Sequence, residues 1–172
     1  MEKEFDIVEI GQAEADAVEA FVEGVWAEMP EKDWFAVDKG YVREMLTSGK
    51  ALAWKAVERG GDAVAAVCIV VVPGLDDENL GLQLGMETLE LLRVAHMDIV
   101  AVSPCFRGCG LQQRLMQEAE SVLCRRGFRH LLCTAHPENV YSCRNMERLG
   151  YRSVWEGLKY GGLPRRIYAK ML

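Results

Sequence analysis

The turn Arg107-Gly-Cys-Gly-Leu-Gln112 carries the residues best suited to binding a ligand. It follows an apolar strand pattern and leads directly into a helical one. A helix start leaves about four backbone N–H groups without partners and is the positive end of the helix dipole, so it favours phosphate. Gly108 and Gly110 have no Cβ that would hold a phosphate away, and Arg107 adds a planar cation. The turn therefore predicts a phosphate-binding site.

Other motifs with known nucleotide or metal chemistry do not occur in the sequence. There is no Gly-x-x-x-x-Gly-Lys-Ser/Thr and no Gly-x-Gly-x-x-Gly after a first strand, which excludes the P-loop and Rossmann patterns. The six cysteines include no Cys-x-x-Cys pair, so we predict no metal site. Cys105 or Cys109 as an acyl-accepting nucleophile is a rival to direct transfer, but neither has an evident base partner.

The spacing of apolar residues predicts strands and helices in a definite order on both sides of the turn. Apolar steps of three and four residues predict helices, and alternating or β-branched runs predict strands. The order is β-α-α-β-β-β-α-β-α-β-β, an α/β (α+β) pattern with an antiparallel first half. At 172 residues and 19.3 kDa we expect one domain, residues 1–172. The predicted strands are 5–10, 52–57, 63–72, 95–102, 128–134, 151–155 and 166–171; the helices are 12–29, 41–49, 109–126 and 138–149; 73–84 is a loop, and 160–164 is a turn.

Charge is distributed unevenly between the two halves of the chain. The formal net charge is -6, but residues 1–100 hold 8 Lys and Arg against 21 Asp and Glu, whereas residues 101–172 hold 12 against 5. The basic half contains the phosphate-binding turn, where an anionic ligand would be attracted. The overall acidity argues against a nucleic-acid partner. In addition, no aromatic platform for stacking bases accompanies the arginines.

Three motifs in order resemble the GCN5-related N-acetyltransferase (GNAT) superfamily, and the resemblance covers nearly the whole chain. They are Arg107 to Gln112 preceded by Val102-Ser-Pro104, then Asn139-Val-Tyr-Ser142, then Leu149-Gly-Tyr151. The resemblance implies a mixed, mostly antiparallel sheet flanked by helices, with fourth and fifth strands that splay apart. It also implies acetyl-CoA as co-substrate, with the pantetheine arm between those strands. The family turn usually ends in glycine or alanine, so the side chain of Gln112 must point away from the phosphates or the helix start must shift.

The resemblance also implies which residues meet acetyl-CoA. The pyrophosphate would rest on the turn, the backbone of residues 100 to 102 would bond the pantetheine, and the helix after residue 138 would complete the site. The expected cofactor-binding residues are Val100, Val102, Arg107, Gly108, Cys109, Gly110, Leu111, Gln112, Asn139 and Ser142.

Two residues on the predicted fourth strand are candidates for the general base. Asp98 is the first candidate, because the family often carries a carboxylate on this strand. His96 lies two residues earlier on the same face and has a suitable pKa. A solvated strand end explains Asp98 equally well, since carboxylates are mostly exposed. The expected reaction is direct attack of a neutral primary amine on the thioester, with strand donors stabilising the oxyanion.

One departure leaves the proton donor for the thiolate unassigned. Met146 stands where many family members have a tyrosine, and a thioether cannot donate a proton. Tyr141 and Tyr160 are nearby in sequence, but packing or substrate contact accounts for either. The departure favours an alternative function, a non-catalytic sensor or interaction module that binds acetyl-CoA without turnover.

The acceptor and the cellular location are less sharply indicated. The longest apolar run, residues 63–72, is far too short to span a bilayer, and the start resembles no secretory signal, so we expect a cytoplasmic protein without a membrane partner. The sequence does not decide between a monomer and a homodimer. Several acidic and aromatic residues in the first half weakly favour a cationic amine of a small molecule or peptide. They are Glu23, Glu28, Glu31, Asp33, Asp76 to Glu78, Trp26, Trp34 and Phe35.

Overall fold

The chain folds around one seven-stranded sheet. The structure, a computed structural model, describes residues 3–172. The sheet order is β1-β2-β3-β4-β5-β7-β6, and every neighbouring pair is antiparallel except β4 and β5. The strands are β1 (Phe5–Glu9), β2 (Ala51–Glu58), β3 (Val64–Val71), β4 (Val94–Val102), β5 (His130–Ala135), β6 (Arg152–Lys159) and β7 (Leu163–Met171).

Helices cover both faces of the sheet. The helices are α1 (Ala15–Ala27), α2 (Tyr41–Thr47), α3 (Thr88–Leu91), α4 (Leu111–Arg125) and α5 (Val140–Arg148). One apolar cluster joins α1 and α2 to one face of β2 to β4, and another joins α4 and α5 to the opposite face. The predicted mixed, mostly antiparallel sheet flanked by helices is confirmed. Within residues 3–172, no helix is long and apolar enough to cross a membrane.

The helices and strands bury the apolar positions that the sequence pattern predicts. The apolar stripe of α4 places Leu115, Met116 and Leu123 in full burial against the sheet, and each such side chain contributes about 1.5–3 kcal/mol. β3 is almost entirely buried, as its β-branched run predicts for a central strand. Helix α4 ends at Arg125 and is followed by Gly127, whose φ of 89° belongs to the left-handed region.

The last hairpin is longer than predicted. β6 continues to Lys159 and β7 begins at Leu163, so only residues 160–162 form the turn. Gly161 and Gly162 both have positive φ, which allows this tight reversal. Pro164 pairs opposite Leu158 near the beginning of its strand, a position where proline is tolerated.

β4 and β5 stay together over only three residue pairs. The parallel register runs from Val94 opposite His130 to His96 opposite Leu132. β4 then continues for six more residues and β5 for three, without pairing to each other. The strands therefore diverge into a wedge, as the family resemblance implied.

A bulge interrupts β4 inside this wedge. Opposite β3, Met97 pairs with Val70 and Ile99 pairs with Ile69, which leaves Asp98 as an extra residue. A bulge re-aims the side chains on either side of it. Beyond this point the side chains of β4 therefore no longer follow the simple alternation between the two faces of the sheet that the sequence pattern predicts.

The predicted loop over residues 73–84 contains ordered structure. Residues Leu80–Leu84 form a 3₁₀ helix capped by Asn79, whose Oδ1 accepts from Gly81 N–H at 2.8 Å. The Asn79 amide is fully buried and also donates to the carbonyls of Gly74 and Leu91, at 2.8 and 3.2 Å. One buried side chain thus organises the segment, which composition alone could not indicate.

We expect Asn79→Ala to lower the free energy of unfolding by about 2–4 kcal/mol, because three hydrogen bonds are lost and buried main-chain groups are left unpaired. Urea unfolding measures the change. The exposed neighbour Asp77 provides the control, since Asp77→Ala should stay within about 0.5 kcal/mol of wild type. Equal effects of the two substitutions would contradict the role given to Asn79.

Candidate active site

The turn between β4 and α4 presents free main-chain N–H groups to solvent. Residues 107 to 110 are exposed. Within residues 3–172, no acceptor bonds the amides at positions 110 to 113, and the N–H of Arg114 is the first of the helix to reach a carbonyl, that of Gly110 at 3.1 Å. These open donors at a helix start suit an anion.

Glycine leaves space above this turn. Gly108 and Gly110 have φ of 82° and 69°, and a Cβ on either would meet no protein atom within 4 Å. The Oε1 atom of Gln112 accepts from Asn145 Nδ2 at 2.7 Å, which holds this side chain against α5. The exposed Arg107 forms no ion pair with any residue that the structure describes. The turn thus keeps an open surface with an available cation.

The edge of β4 that faces the wedge offers main-chain groups at alternate residues. Ser103 N–H donates to the Ala65 carbonyl on β3 at 2.9 Å. Because hydrogen-bonding direction alternates along an antiparallel pair, Val100 and Val102 direct their N–H and C=O groups away from β3. No strand pairs with that edge within residues 3–172. An extended ligand could therefore bond there as an additional strand.

Asp98 lies at the bulge and is bound by a tyrosine from α2. Its Oδ2 atom accepts from the Tyr41 hydroxyl at 3.0 Å. The carboxylate reaches the solvent of the wedge, yet the protein around it removes much of its water. This desolvation raises the pKa of Asp98 to about 6, against the opposing effect of the Tyr41 hydrogen bond. A carboxylate with that pKa is ionised at neutral pH and is a stronger base than an ordinary aspartate.

His96 has a different environment. It is 7% exposed, and its Nε2 atom accepts from the N–H of Leu80 at 3.1 Å. Burial, together with the charge of Lys159, lowers the pKa of His96 to about 4, so the ring is neutral. Its acceptor nitrogen is already occupied, which distinguishes the two base candidates: Asp98 faces open space, and His96 ties the 3₁₀ helix to β4.

A second tyrosine lies on the β5 side of the wedge. The hydroxyl of Tyr160 is 3.3 Å from Thr134 Oγ1. Thr134 is two residues beyond Leu132, the last β5 residue paired to β4, just as Asp98 is two residues beyond His96. Thr134 and Asp98 therefore stand on opposite sides of the opening.

The contributions of Tyr41 and Thr134 are not evident from the sequence. Tyr41 fits a helical pattern there and nothing more, and it lies 57 residues before Asp98. No local signal connects the two, because only the packing of α2 on the sheet brings them together.

The start of α5 is shaped by capping. Asn139 is its N-cap, and its Oδ1 atom accepts from Ser142 N–H at 3.2 Å. Met146 is 5% exposed, and its sulfur lies 3.4 Å from Cys133 Sγ. The six cysteines are free thiols, and Cys105 and Cys109 are exposed beside the turn. No cluster of metal-binding side chains occurs within residues 3–172.

The 3₁₀ turn Lys32–Trp34, between α1 and α2, contacts residues on the β5 and β7 side of the wedge. The carbonyl of Asp33 accepts from Arg165 at 2.7 Å. The ring of Trp34 stacks on His136, with centroids 6.3 Å apart. The turn therefore joins the two halves of the sheet across one side of the wedge.

This combination of fold and site agrees with the comparison with known families. The model of the acetyltransferase (GNAT) family matches residues 18–151, so the chain belongs to that family. Acetyl-CoA is the family's co-substrate. Among proteins with curated functions, none matches this sequence significantly.

Solved structures share the fold at low sequence identity. Arabidopsis thaliana NAA60 in complex with acetyl-CoA superposes with a TM-score of 0.76 at 12% identity, over 98% of this chain and 99% of that one. A putative acetyltransferase from Acinetobacter baylyi gives 0.73 at 15% identity, covering 99% and 93%. The ribosomal-protein-S18-alanine N-acetyltransferase from Escherichia coli gives 0.67 at 15%, covering 98% and 94%. At these identities the likeness establishes the fold.

The raised pKa of Asp98 predicts a pH-dependent stability difference. A folded-state pKa above the unfolded value means that ionisation destabilises the fold as pH rises from about 4 to about 6. We expect Asp98→Asn to gain about 1 kcal/mol over wild type at neutral pH, after allowance for solvent screening, and much less near pH 4.

Urea unfolding of both proteins at the two pH values measures this difference. Asp77→Asn, at an exposed carboxylate, is the control. A gain that is the same at both pH values would contradict the environment described for Asp98.

Proposed function

We propose that this protein is an acetyl-CoA-dependent N-acetyltransferase that acts on a primary amine of a small molecule or peptide. The observation that carries the proposal is the wedge between β4 and β5, which has open amides at one end and Asp98 inside it. Family membership supports acetyl transfer. Direct transfer in a ternary complex needs no covalent enzyme intermediate.

The residues divide into those that hold the co-substrate and those that act on the amine. The turn from Arg107 to Gln112 binds the pyrophosphate through free N–H groups and a guanidinium. The main chain of Val100 and Val102 holds the pantetheine, and Asn139 and Ser142 support the site from α5. Bound acetyl-CoA supplies the thioester that is attacked.

Asp98 serves as the general base. Its desolvated carboxylate accepts a proton from the attacking amine, and Tyr41 fixes its orientation through the hydrogen bond to Oδ2. His96 acts as a positioning residue, because its acceptor nitrogen is bonded to Leu80. It fixes the part of β4 from which the two strands diverge.

The acceptor enters on the face that carries α1 and α2. Glu78 contributes to raising the pKa of both Tyr41 and Tyr160, which indicates that its charge is near the opening. Asp98 and Glu78 are two carboxylates that favour a cationic amine, and the cations Lys159 and Arg165 lie near the same opening. Trp34 belongs to the bridging turn and stacks on His136, which directly follows β5.

The alternative is a sensor that binds acetyl-CoA without turnover. The buried Met146, at the usual tyrosine position, favours it, because no proton donor comes from α5. Both functions require the co-substrate to bind, and only the enzyme releases CoA when an amine is added.

We expect Gly110→Asp combined with Arg107→Ala to weaken acetyl-CoA binding by at least about 100-fold. The new carboxylate fills the open space and repels the pyrophosphate, and a cation is removed. Isothermal titration calorimetry measures affinity, and circular dichroism checks the fold.

Gly127→Asp is a matched control at the other end of the same helix. It has a similar positive φ, and a Cβ added there would also meet no protein atom within 4 Å, so its strain is comparable. Unchanged affinity in the double variant, or equal loss in the control, would refute the site.

Turnover is tested by following CoA release against a panel of primary amines. We expect Asp98→Asn to lower kcat/KM by about 100-fold, as for loss of a general base. In wild type, activity should rise with pH through about 6, in addition to the ionisation of the amine itself. The limb near pH 6 should vanish in the variant.

Acetyl-CoA binding with no CoA release for any amine would favour the sensor. A wild-type limb near pH 6 that persists in Asp98→Asn would reject Asp98 as the base.

A further inference from the structure

The proposed reaction lacks an assigned proton donor for the departing sulfur. Met146 cannot supply a proton, and its sulfur is buried against Cys133. Tyr141, also near in sequence, is 75% exposed on α5. Of the tyrosines that border the wedge, Tyr41 donates its hydroxyl proton to Asp98, whereas Tyr160, which is 47% exposed, contacts Thr134 on β5.

We propose that Tyr160 is this donor and acts from the β5 side of the wedge; this inference rests on the proposed function. Its hydroxyl lies at Thr134 Oγ1, just beyond the point where β5 leaves β4. Asp98 occupies the equivalent position on β4. The base and the donor thus stand on opposite sides of the opening.

Asp98 and Tyr160 interact electrostatically. Partial desolvation of the hydroxyl is the main cause of the raised pKa of Tyr160, and the charge of Asp98 adds to it. The phenol is therefore protonated at neutral pH. A group that is to give up a proton must carry it beforehand, and Tyr160 meets that condition.

The backbone of Tyr160 is strained. Its φ is 51°, and it is the one non-glycine residue with positive φ within residues 3–172. Such conformations cost on the order of 1–3 kcal/mol and persist when surrounding contacts enforce them. The Thr134 hydroxyl contacts the Tyr160 hydroxyl, and the Arg165 guanidinium lies 5.7 Å from the ring centroid.

Arg165 is a positioning residue for Tyr160. It is 2% exposed and forms no ion pair within residues 3–172, and it donates to the carbonyls of Asp33 and Pro164 at 2.7 and 2.8 Å. A buried cation without a carboxylate is costly. Next to Tyr160, its charge favours the phenolate that forms when the proton leaves, as its effect on the pKa of Tyr160 shows.

Asp98 and Tyr160 together account for every proton that moves in this step. The amine nitrogen bonds to the acetyl carbon, and the carbon–sulfur bond breaks. Asp98 takes a proton from the nitrogen, and Tyr160 gives its hydroxyl proton to the sulfur. The neutral carboxyl of Asp98 then returns a proton to the Tyr160 phenolate through solvent, which regenerates both groups.

Tyr160→Phe tests the proposal with two readouts. We expect kcat to fall by about 100-fold with KM unchanged for both substrates. By calorimetry at about pH 10, above the ordinary pKa of a cysteine thiol, CoA should bind about tenfold more weakly to the variant, because a hydrogen bond to the thiolate is lost. Acetyl-CoA should bind as it does to wild type. Tyr141→Phe is the matched control and should change neither quantity.

Three results would overturn the proposal: kcat within twofold of wild type, a defect confined to the KM of the amine, or unchanged CoA affinity. If wild type acetylates no amine, the proposed function fails, and the CoA and acetyl-CoA titrations still decide whether Tyr160 meets the sulfur. If Tyr160→Phe does not fold, Thr134→Val carries the test, since it keeps the phenol and removes its partner. We then expect a kcat loss of about tenfold with the same selective loss of CoA affinity, and no loss of either overturns the proposal.

Discussion

The separation of β4 from β5 is the constraint on which the site depends. After three pairs the two strands leave main-chain groups unpaired along facing edges, a cost that a continuous sheet would avoid. Each of the two strands is paired on its other side, β4 with β3 and β5 with β7, so both remain ordered where they separate. The opening is therefore a property of the whole sheet and is available to an extended ligand.

The bulge at Asp98 determines what this opening can do. With one extra residue in β4, Val100 and Val102 turn their side chains toward α4, while Asp98 projects toward Tyr41. A regular strand would have placed these three side chains on one face. The same irregularity thus leaves an edge with unpaired main-chain groups and places a carboxylate in the opening.

Buried polar groups hold the surrounding segments in position. His96 accepts from Leu80, Asn79 bonds three main-chain groups, and Arg165 joins the turn at Asp33 to β7. Each is close to fully buried, and each bonds backbone that would otherwise be unpaired. Burial keeps His96 neutral, so this contact carries no charge and persists through the physiological pH range. Such contacts fix the walls of the cleft together with apolar packing.

The sequence by itself determined the order of the strands and of the longer helices, the central strand β3 and the position of the glycine-rich turn, since these follow from periodicity and glycine placement within a few residues. The short helix α3 is absent from the predicted order. It also named Asp98 and His96, but it could not separate their roles. That distinction depends on the N–H of Leu80 and the hydroxyl of Tyr41, which reach β4 from distant parts of the chain. The bulge, the position of Tyr160 opposite Asp98 and the burial of Arg165 were likewise decided by tertiary structure alone, because strand register and desolvation arise only when separate segments pack together.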